Sequence, residues 1–403
     1  LDAKESLPSF IMTSDPGSFA QNTILHRKPR IIEGVINDNN YPSFIVERLI
    51  LFREEIEGGR VQPLTEVAPD VEQWNSVWQK FENRTWLELP WYFAEAYFYR
   101  RLLEATGYFQ PGPLHGQDPF QPSKRRQLKE SVDPLSVAMD GINRLRDPRL
   151  CFENLLHASL WGNRVDLSNL TVTDEVRRRQ AMIERENLLI NGFPEVLEVF
   201  RERPLPHIAF VNDNGGMELG FDLFLADFLL VNNWADKITF YLKPYPFFVS
   251  DAMPKDLQET VQVFTEAPSR SLSRLGKRMQ TALSEGTLRL SADWFWASPY
   301  HLCEMPKPIY QEISHLDMVI LKGDVNYRRL LSDRHWPYIT PITDIVHYFP
   351  TSLLILRTLK GEIMVGLKEG QAEEIGAEDP GWLINGKRGI IQYIERCLAQ
   401  ASS

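Results

Sequence analysis

Acidic, amide and cationic side chains gather at a few short places in the chain, each directly after a run of apolar residues. The runs 207–212, 237–242, 318–321 and 353–356 lead respectively into Asp213-Asn214, Lys243, Lys322-Gly323-Asp324 and Arg357-Thr358-Leu359-Lys360. Carboxylate and amide oxygens are hard donors that suit Mg2+, Mn2+ or a similar ion. Arginine, lysine, asparagine and the N–H groups of a tight turn can grip phosphoryl oxygens. The chemistry open to such a set is phosphoryl transfer beside a divalent cation.

Asp213-Asn214-Gly215-Gly216 precedes a helical pattern over 217–230. The glycines permit tight backbone geometry, and a helix N-terminus offers free N–H groups and a positive dipole end to an anion. A plain turn closed by an Asx cap accounts for these four residues equally well. Glu218 and Asp222 lie four apart and share a helix face. They either orient Asn214, Lys243 or the metal from behind, or form the solvated stripe of an amphipathic helix; Asp227 reads as structural. Asp251 closes the loop 243–251, and by residue type alone a loop aspartate more often caps a helix than binds metal. In 322–328, Asp324, Asn326 and Arg328 could hold phosphate, with Arg357 and Lys360 adding charge. Salt bridges to Glu362 or Asp333 are the structural alternative, and for Arg329 and Arg334 the preferred one. Asn163 and Asp166 either contact substrate from the helical side or cap a loop packed on Trp161.

To bring four strand ends together, the second half must be an open sheet whose ligands sit beyond the carboxyl ends of its strands. Strand-length runs alternating with helical segments give an α/β fold: a three-layer α/β/α domain with a mostly parallel sheet over 176–403. A helical N-terminal domain, 1–175, precedes it. Within that half, 41–57, 86–108 and 133–157 carry helical spacing, and 110–122 is a proline- and glycine-rich loop. A helix over 173–198 is expected to bridge the halves.

Composition narrows the function further. The chain has 403 residues, 43% hydrophobic and 24% charged, with net charge -10 and pI near 5.4. An acidic surface repels a nucleic-acid backbone, so no nucleic acid is expected as partner; Lys124-Arg125-Arg126 reads as a solvated turn or helix start. Cys151, Cys303 and Cys397 are few and scattered, which fits a reducing compartment. No run approaches the ~18 apolar residues of a membrane span, and 1–14 resembles no signal segment. The expected location is cytoplasmic, away from membranes. HExxH, GxSxG, Walker A and CxxC patterns are missing, and Gly215-Gly216 is no dinucleotide fingerprint. Trp294, Trp296 and Tyr300 read as core or pocket wall.

The segments Asp213 through Leu219 with Asp222, Lys243 through Asp251, Lys322 through Leu330 with Asp333-Arg334-His335-Trp336, and the RTxK signature Arg357 to Lys360 resemble the damage-control phosphatase family. The likeness is to its acidic residue methyltransferase-like branch. Weaker matches, at Gly17 to Ala20, Trp91 to Arg101, Asp118 to Phe120 and Leu160 to Ser168, keep the same order. The resemblance implies an α/β/α phosphatase domain behind a helical one. It implies metal ligands at Asp213, Asn214 and Asp251, with Mn2+ foremost and Co2+, Ni2+ or Mg2+ as alternatives. Phosphate contacts fall on Asp324, Val325, Asn326, Tyr327, Arg328 and Lys360, supplemented by Glu218, Lys243 and Arg357. Asp213, Asp324 and Lys360 stand as the catalytic set. The implied substrate is a small phosphorylated metabolite such as fructose 1-phosphate. Gly215, Met217 and Ser332 depart from the family's usual Ser or Ala, Phe and Gly.

Asp213 suits either a ligand or a nucleophile. Carboxyl methylation with S-adenosylmethionine is the first competing activity, although Lys243 stands where a ribose-binding acid is needed. A member redirected to another phosphorylated or diphosphorylated metabolite, or to binding alone, is the second.

Overall fold

The computed structural model describes residues 7–162 and 186–396. Asn163, Asp166, Cys397 and the expected helix up to residue 185 lie outside the described residues.

Seven strands form one sheet: β1 Leu188–Asn191, β2 Leu205–Val211, β3 Ala235–Tyr241, β4 Leu288–Ser291, β5 Met318–Lys322, β6 Ser352–Thr358 and β7 Gly389–Ile394, in the order β1-β7-β6-β5-β2-β3-β4. From β6 to β4 all neighbours are parallel; β7 runs antiparallel to β6, and β1 parallel to β7. The mostly parallel α/β/α expectation holds. The four apolar runs are β2, β3, β5 and β6, and they are contiguous in the sheet. After β2 the chain builds β3 and β4 on one flank, then returns to lay β5 against the other. The order therefore reverses at β2, and a crevice opens there between the loops after β2 and β5.

Side chains alternate across each strand and feed a separate core on each face. Ile208 and Phe210 of β2 join one core with the helices Gln121–Ile142, Pro148–Trp161, Gly216–Val231, Pro254–Glu266 and Arg270–Glu285. Ala209 and Val211 join the other, built with Ser43–Gly58, Trp91–Thr106 and Lys307–Ser314. The N-terminal chain thus covers both faces of the sheet.

Three helical expectations are corrected. The stretch 173–198 is not one helix: Leu188, Ile190 and Asn191 pair with β7, and a new helix, Phe193–Glu202, starts after Gly192. A Cβ on Gly192 would lie 2.9 Å from Tyr393 N and 3.0 Å from Ile391 O, so only glycine lets the chain turn there. The stretch 133–157 is likewise two helices, because Asp147 caps the second and Pro148 opens it. The Trp86 pattern splits as well: Trp86–Glu88 is a single 3-10 turn, and the long helix begins only after Pro90.

Lys124 does lie at a helix start, yet it is buried between Asp118 and Asp256, at 3.2 and 2.9 Å. No helix among the described residues is long and apolar enough to cross a membrane.

Candidate active site

The loop after β2 holds Asp213 and Asn214, and a second loop is folded onto it. Gly215 N donates to Ser250 O at 2.7 Å and Ala252 N to Asp213 O at 2.9 Å, so Asn214 and Asp251 face each other as an isolated bridge. Phe248 turns this loop with φ 55°, rare for a bulky side chain. Backbone pairing, not sequence proximity, brings Asp251 to Asp213.

A cavity of about 200 Å3 opens at this point. Of the expected residues, Asp213, Asn214, Glu218, Asp251, Asp324, Val325 and Lys360 line it. Lys243, Asn326, Tyr327, Arg328 and Arg357 stand buried behind the wall. Lys243 Nζ lies 3.5 Å from Asp251 and donates to Trp296 O. Asn326 donates to the carbonyls of Asn212 and Lys322, and Tyr327 Oη accepts from Val365 N. These two hold loops in place.

Arg357 donates through Nε to Asp324 Oδ1 at 2.8 Å, with Nη2 at 2.7 Å from the same oxygen, and Lys360 N reaches it at 3.2 Å. Arg328 pairs with Asp333 through Nε and lies 3.6 Å above the Trp91 ring, while its terminal nitrogens have no protein partner among the described residues. Arg329 donates to the carbonyls of Phe295, Trp296 and Tyr300, a structural role as expected.

Glu218 and Asp222 are both buried, so the solvated-stripe alternative fails. Lys322 Nζ stands 2.9 Å from Asp222 and 3.5 Å from Glu218, and Asp222 also accepts from Ser159 and Asn212. Asp227, as expected, is structural: it pairs with Arg278.

Charge is unevenly compensated here. Burial pushes the Asp213 carboxyl well above the usual range, and Glu218 and Asp251 push it further. Burial also raises Asp251, to about 6, against the pull of Lys243 and Lys124. Burial would raise Asp324 too, but Arg357 and Arg328 outweigh it and hold that carboxyl below its ordinary value. Asp213 and Asp251 are thus crowded acids raised by burial, whereas Asp324 is held low by the arginines beside it.

The donor set fits a hard metal ion. Among the described residues no three His, Cys, Asp or Glu side chains form a ligand cluster, so two carboxylates and the Asn214 amide would have to suffice. Asn214 Nδ2 donates to Asp213 Oδ2 at 2.9 Å and to Glu218 Oε2 at 3.0 Å, while Oδ1 accepts from Ser250 Oγ. A half-turn of the amide presents oxygen to the carboxylates and leaves Ser250 accepting instead of donating.

Gly323 closes the pocket floor with φ +85°, and a Cβ there would stand 2.1 Å from Asp213 Oδ2. Gly323→Ala should therefore destabilise the fold by more than the roughly 1–2 kcal/mol of a left-handed alanine, and displace Asp213. Chemical denaturation checks this; an unchanged midpoint contradicts the close packing.

Part of the cavity wall was not among the expected site residues. Phe19, Arg27 and Glu95 reach it from the N-terminal region, and Ser250 from the loop before Asp251. The weak matches at Gly17 to Ala20 and Trp91 to Arg101 took in Phe19 and Glu95, and the match from Lys243 to Asp251 took in Ser250; nothing marked Arg27.

Residues 23–375 match the Damage-control phosphatase ARMT1-like domain. The chain is similar to the protein named Damage-control phosphatase ARMT1 in Mus musculus, with 32% identity over 434 aligned positions, 96% of this chain and 98% of that one. The Danio rerio protein of the same name is 31% identical over 436 positions, covering 96% and 97%. The Homo sapiens protein is 30% identical over 439, covering 96% and 98%. A crystal structure of a DUF89 family protein from Pyrococcus horikoshii superposes with a TM-score of 0.50 at 14% identity, over 94% of this chain and 98% of that one, a likeness of fold.

Proposed function

The chain belongs to the damage-control phosphatase family, and from that premise we propose that it is a metal-dependent phosphatase of small phosphorylated metabolites, sugar monophosphates foremost. The observation that carries this reading is the meeting of Asp213, Asn214 and Asp251 with Asp324 and Lys360 around one cavity at the sheet's switch point. In the reaction, water attacks phosphorus, the P–O ester bond breaks, and the leaving alkoxide takes up a proton to become an alcohol. A divalent ion, Mn2+ foremost, held by Asp213, Asn214 and Asp251, supplies Lewis-acid neutralisation of phosphoryl charge when bound.

The protein's own groups do the positioning. Lys360, on the cavity wall, is placed to donate to phosphoryl oxygens, and the buried Arg328 adds positive charge from behind that wall. Asp324, whose Oδ1 already meets two Arg357 nitrogens and the Lys360 N–H, orients those cations and does not move protons. Asp213 is read as a ligand and not a nucleophile: Asn214 Nδ2 and the Gly323 backbone crowd Oδ2, which leaves Oδ1 for the cation. Lys243 compensates Asp251 from behind, so its charge acts through that carboxylate. No observation favours methyl transfer, since Lys243 and not an acid stands beyond β3.

Phosphate release measured over sugar phosphates and prenyl diphosphates, with and without EDTA, tests the reading. Release from sugar monophosphates should stop with EDTA and return with Mn2+. EDTA-insensitive turnover would remove the metal from the reaction, and release from diphosphates alone would overturn the substrate class.

A further inference from the structure

Glu95 is a buried acid on the cavity wall that the phosphate chemistry does not use. It lies on the Trp91–Thr106 helix at 1% exposure. A carboxylate so placed needs a counter-charge. Lys28 supplies it, with Nζ 2.7 Å from Glu95 Oε2, itself fully buried and over the Phe98 and Tyr99 rings at 4.3 and 4.2 Å. Burial lowers the Lys28 ammonium to about 7, and Glu95, its nearest anion, works against that shift. Arg27, on the same wall, holds Nη1 3.9 Å from Glu95 Oε1, with about half of its side chain in solvent.

An extra acid beside a phosphate site repels the phosphate, so its use must lie at the substrate's other end. A carboxylate only accepts hydrogen bonds and a guanidinium only donates them. Neighbouring hydroxyls satisfy both at once. An alkyl or prenyl group would offer neither Glu95 Oε1 nor Arg27 a hydrogen-bond partner, and a second phosphate would meet the carboxylate's charge. Resting on the phosphatase reading above, we infer that Glu95, positioned by Lys28 and working with Arg27, determines specificity by accepting hydrogen bonds from hydroxyls on the substrate's organic part. The wall selects polyhydroxylated phosphate monoesters over apolar ones.

The test compares kcat and KM for fructose 1-phosphate and phenyl phosphate in the full chain and in Glu95→Gln, Lys28→Met and Arg27→Ala. The ratio of kcat/KM, sugar phosphate over phenyl phosphate, should fall by roughly tenfold or more in Glu95→Gln, as expected when a buried acceptor loses its hydroxyl partner. The loss should sit mainly in the KM for the sugar phosphate. Lys28→Met should move the ratio the same way by displacing Glu95. Arg27→Ala, at a half-exposed site, keeps the test open if the buried variants do not fold. An unchanged ratio in the folded variants overturns the inference. A parent protein that hydrolyses phenyl phosphate but not the sugar phosphate also overturns it and leaves the phosphatase reading standing. One that hydrolyses neither removes both.

Discussion

Asp213→Ala should lower kcat/KM for phosphate release by about 10³-fold or more, the scale of losing the charge that neutralises a transferring phosphoryl group. Mn2+ affinity measured by calorimetry should fall with it. The same substitution should leave thermal stability unchanged or raise it. Asp213 is held among Glu218 and Asp251, with Lys360 and Lys243 only partly compensating, and among the described residues it accepts one side-chain hydrogen bond, from Asn214. Removing a carboxylate from such a crowd relieves repulsion, as is common where function demands strained charge. Asp251→Ala should repeat the loss of metal and activity but cost stability, because Lys243 would be left buried without its partner. Undiminished Mn2+ affinity in both variants would dismiss the ligand assignment, and a large fall in the melting temperature of Asp213→Ala would dismiss the account of crowding.

The four strands that matter were legible because each is an apolar run broken abruptly by charge, and they are the central members of the sheet. β1 and β4 are four residues each and close the two edges, too short for alternation to register. β1 also hides among residues with good helical spacing, where only the Gly192 contact with β7 decides the outcome. In the site, residues near a strand end were readable because topology alone puts them in the crevice. Asp251 was not readable from its own surroundings, since its place is set by hydrogen bonds between two loops remote in sequence. Lys28 and Glu95 were beyond reach for a different reason: in one dimension a buried ion pair looks like two surface charges on amphipathic helices, and only packing against Phe98 and Tyr99 reverses that. Arg328 and Arg357 read as cations of the site, and their depth behind the wall follows from pairing with Asp333 and Asp324.

That distinction in depth separates the two cations of the RTxK signature. Lys360 is exposed at the cavity rim; its backbone is fixed by Asp324 Oδ1, while its Nζ makes no ion pair among the described residues. A cation anchored at its backbone and free at its tip is available to a phosphoryl oxygen. Lys360→Ala should therefore cost about 10²-fold in kcat/KM, the usual result of deleting one preorganised donor, with no change in unfolding midpoint. Arg357 is the opposite case: it is fully buried, it donates to Asp324 and Gly361 O, and it stacks 4.2 Å from the Tyr327 ring. Arg357→Ala would leave the Asp324 carboxylate buried and unpaired, a loss of about 3–5 kcal/mol, and activity would fall through the fold. Measured side by side, Lys360→Ala should lose turnover at full stability, and Arg357→Ala should lose stability first. If Lys360→Ala changed kcat/KM less than about twofold, Lys360 would be a surface cation and no part of the site.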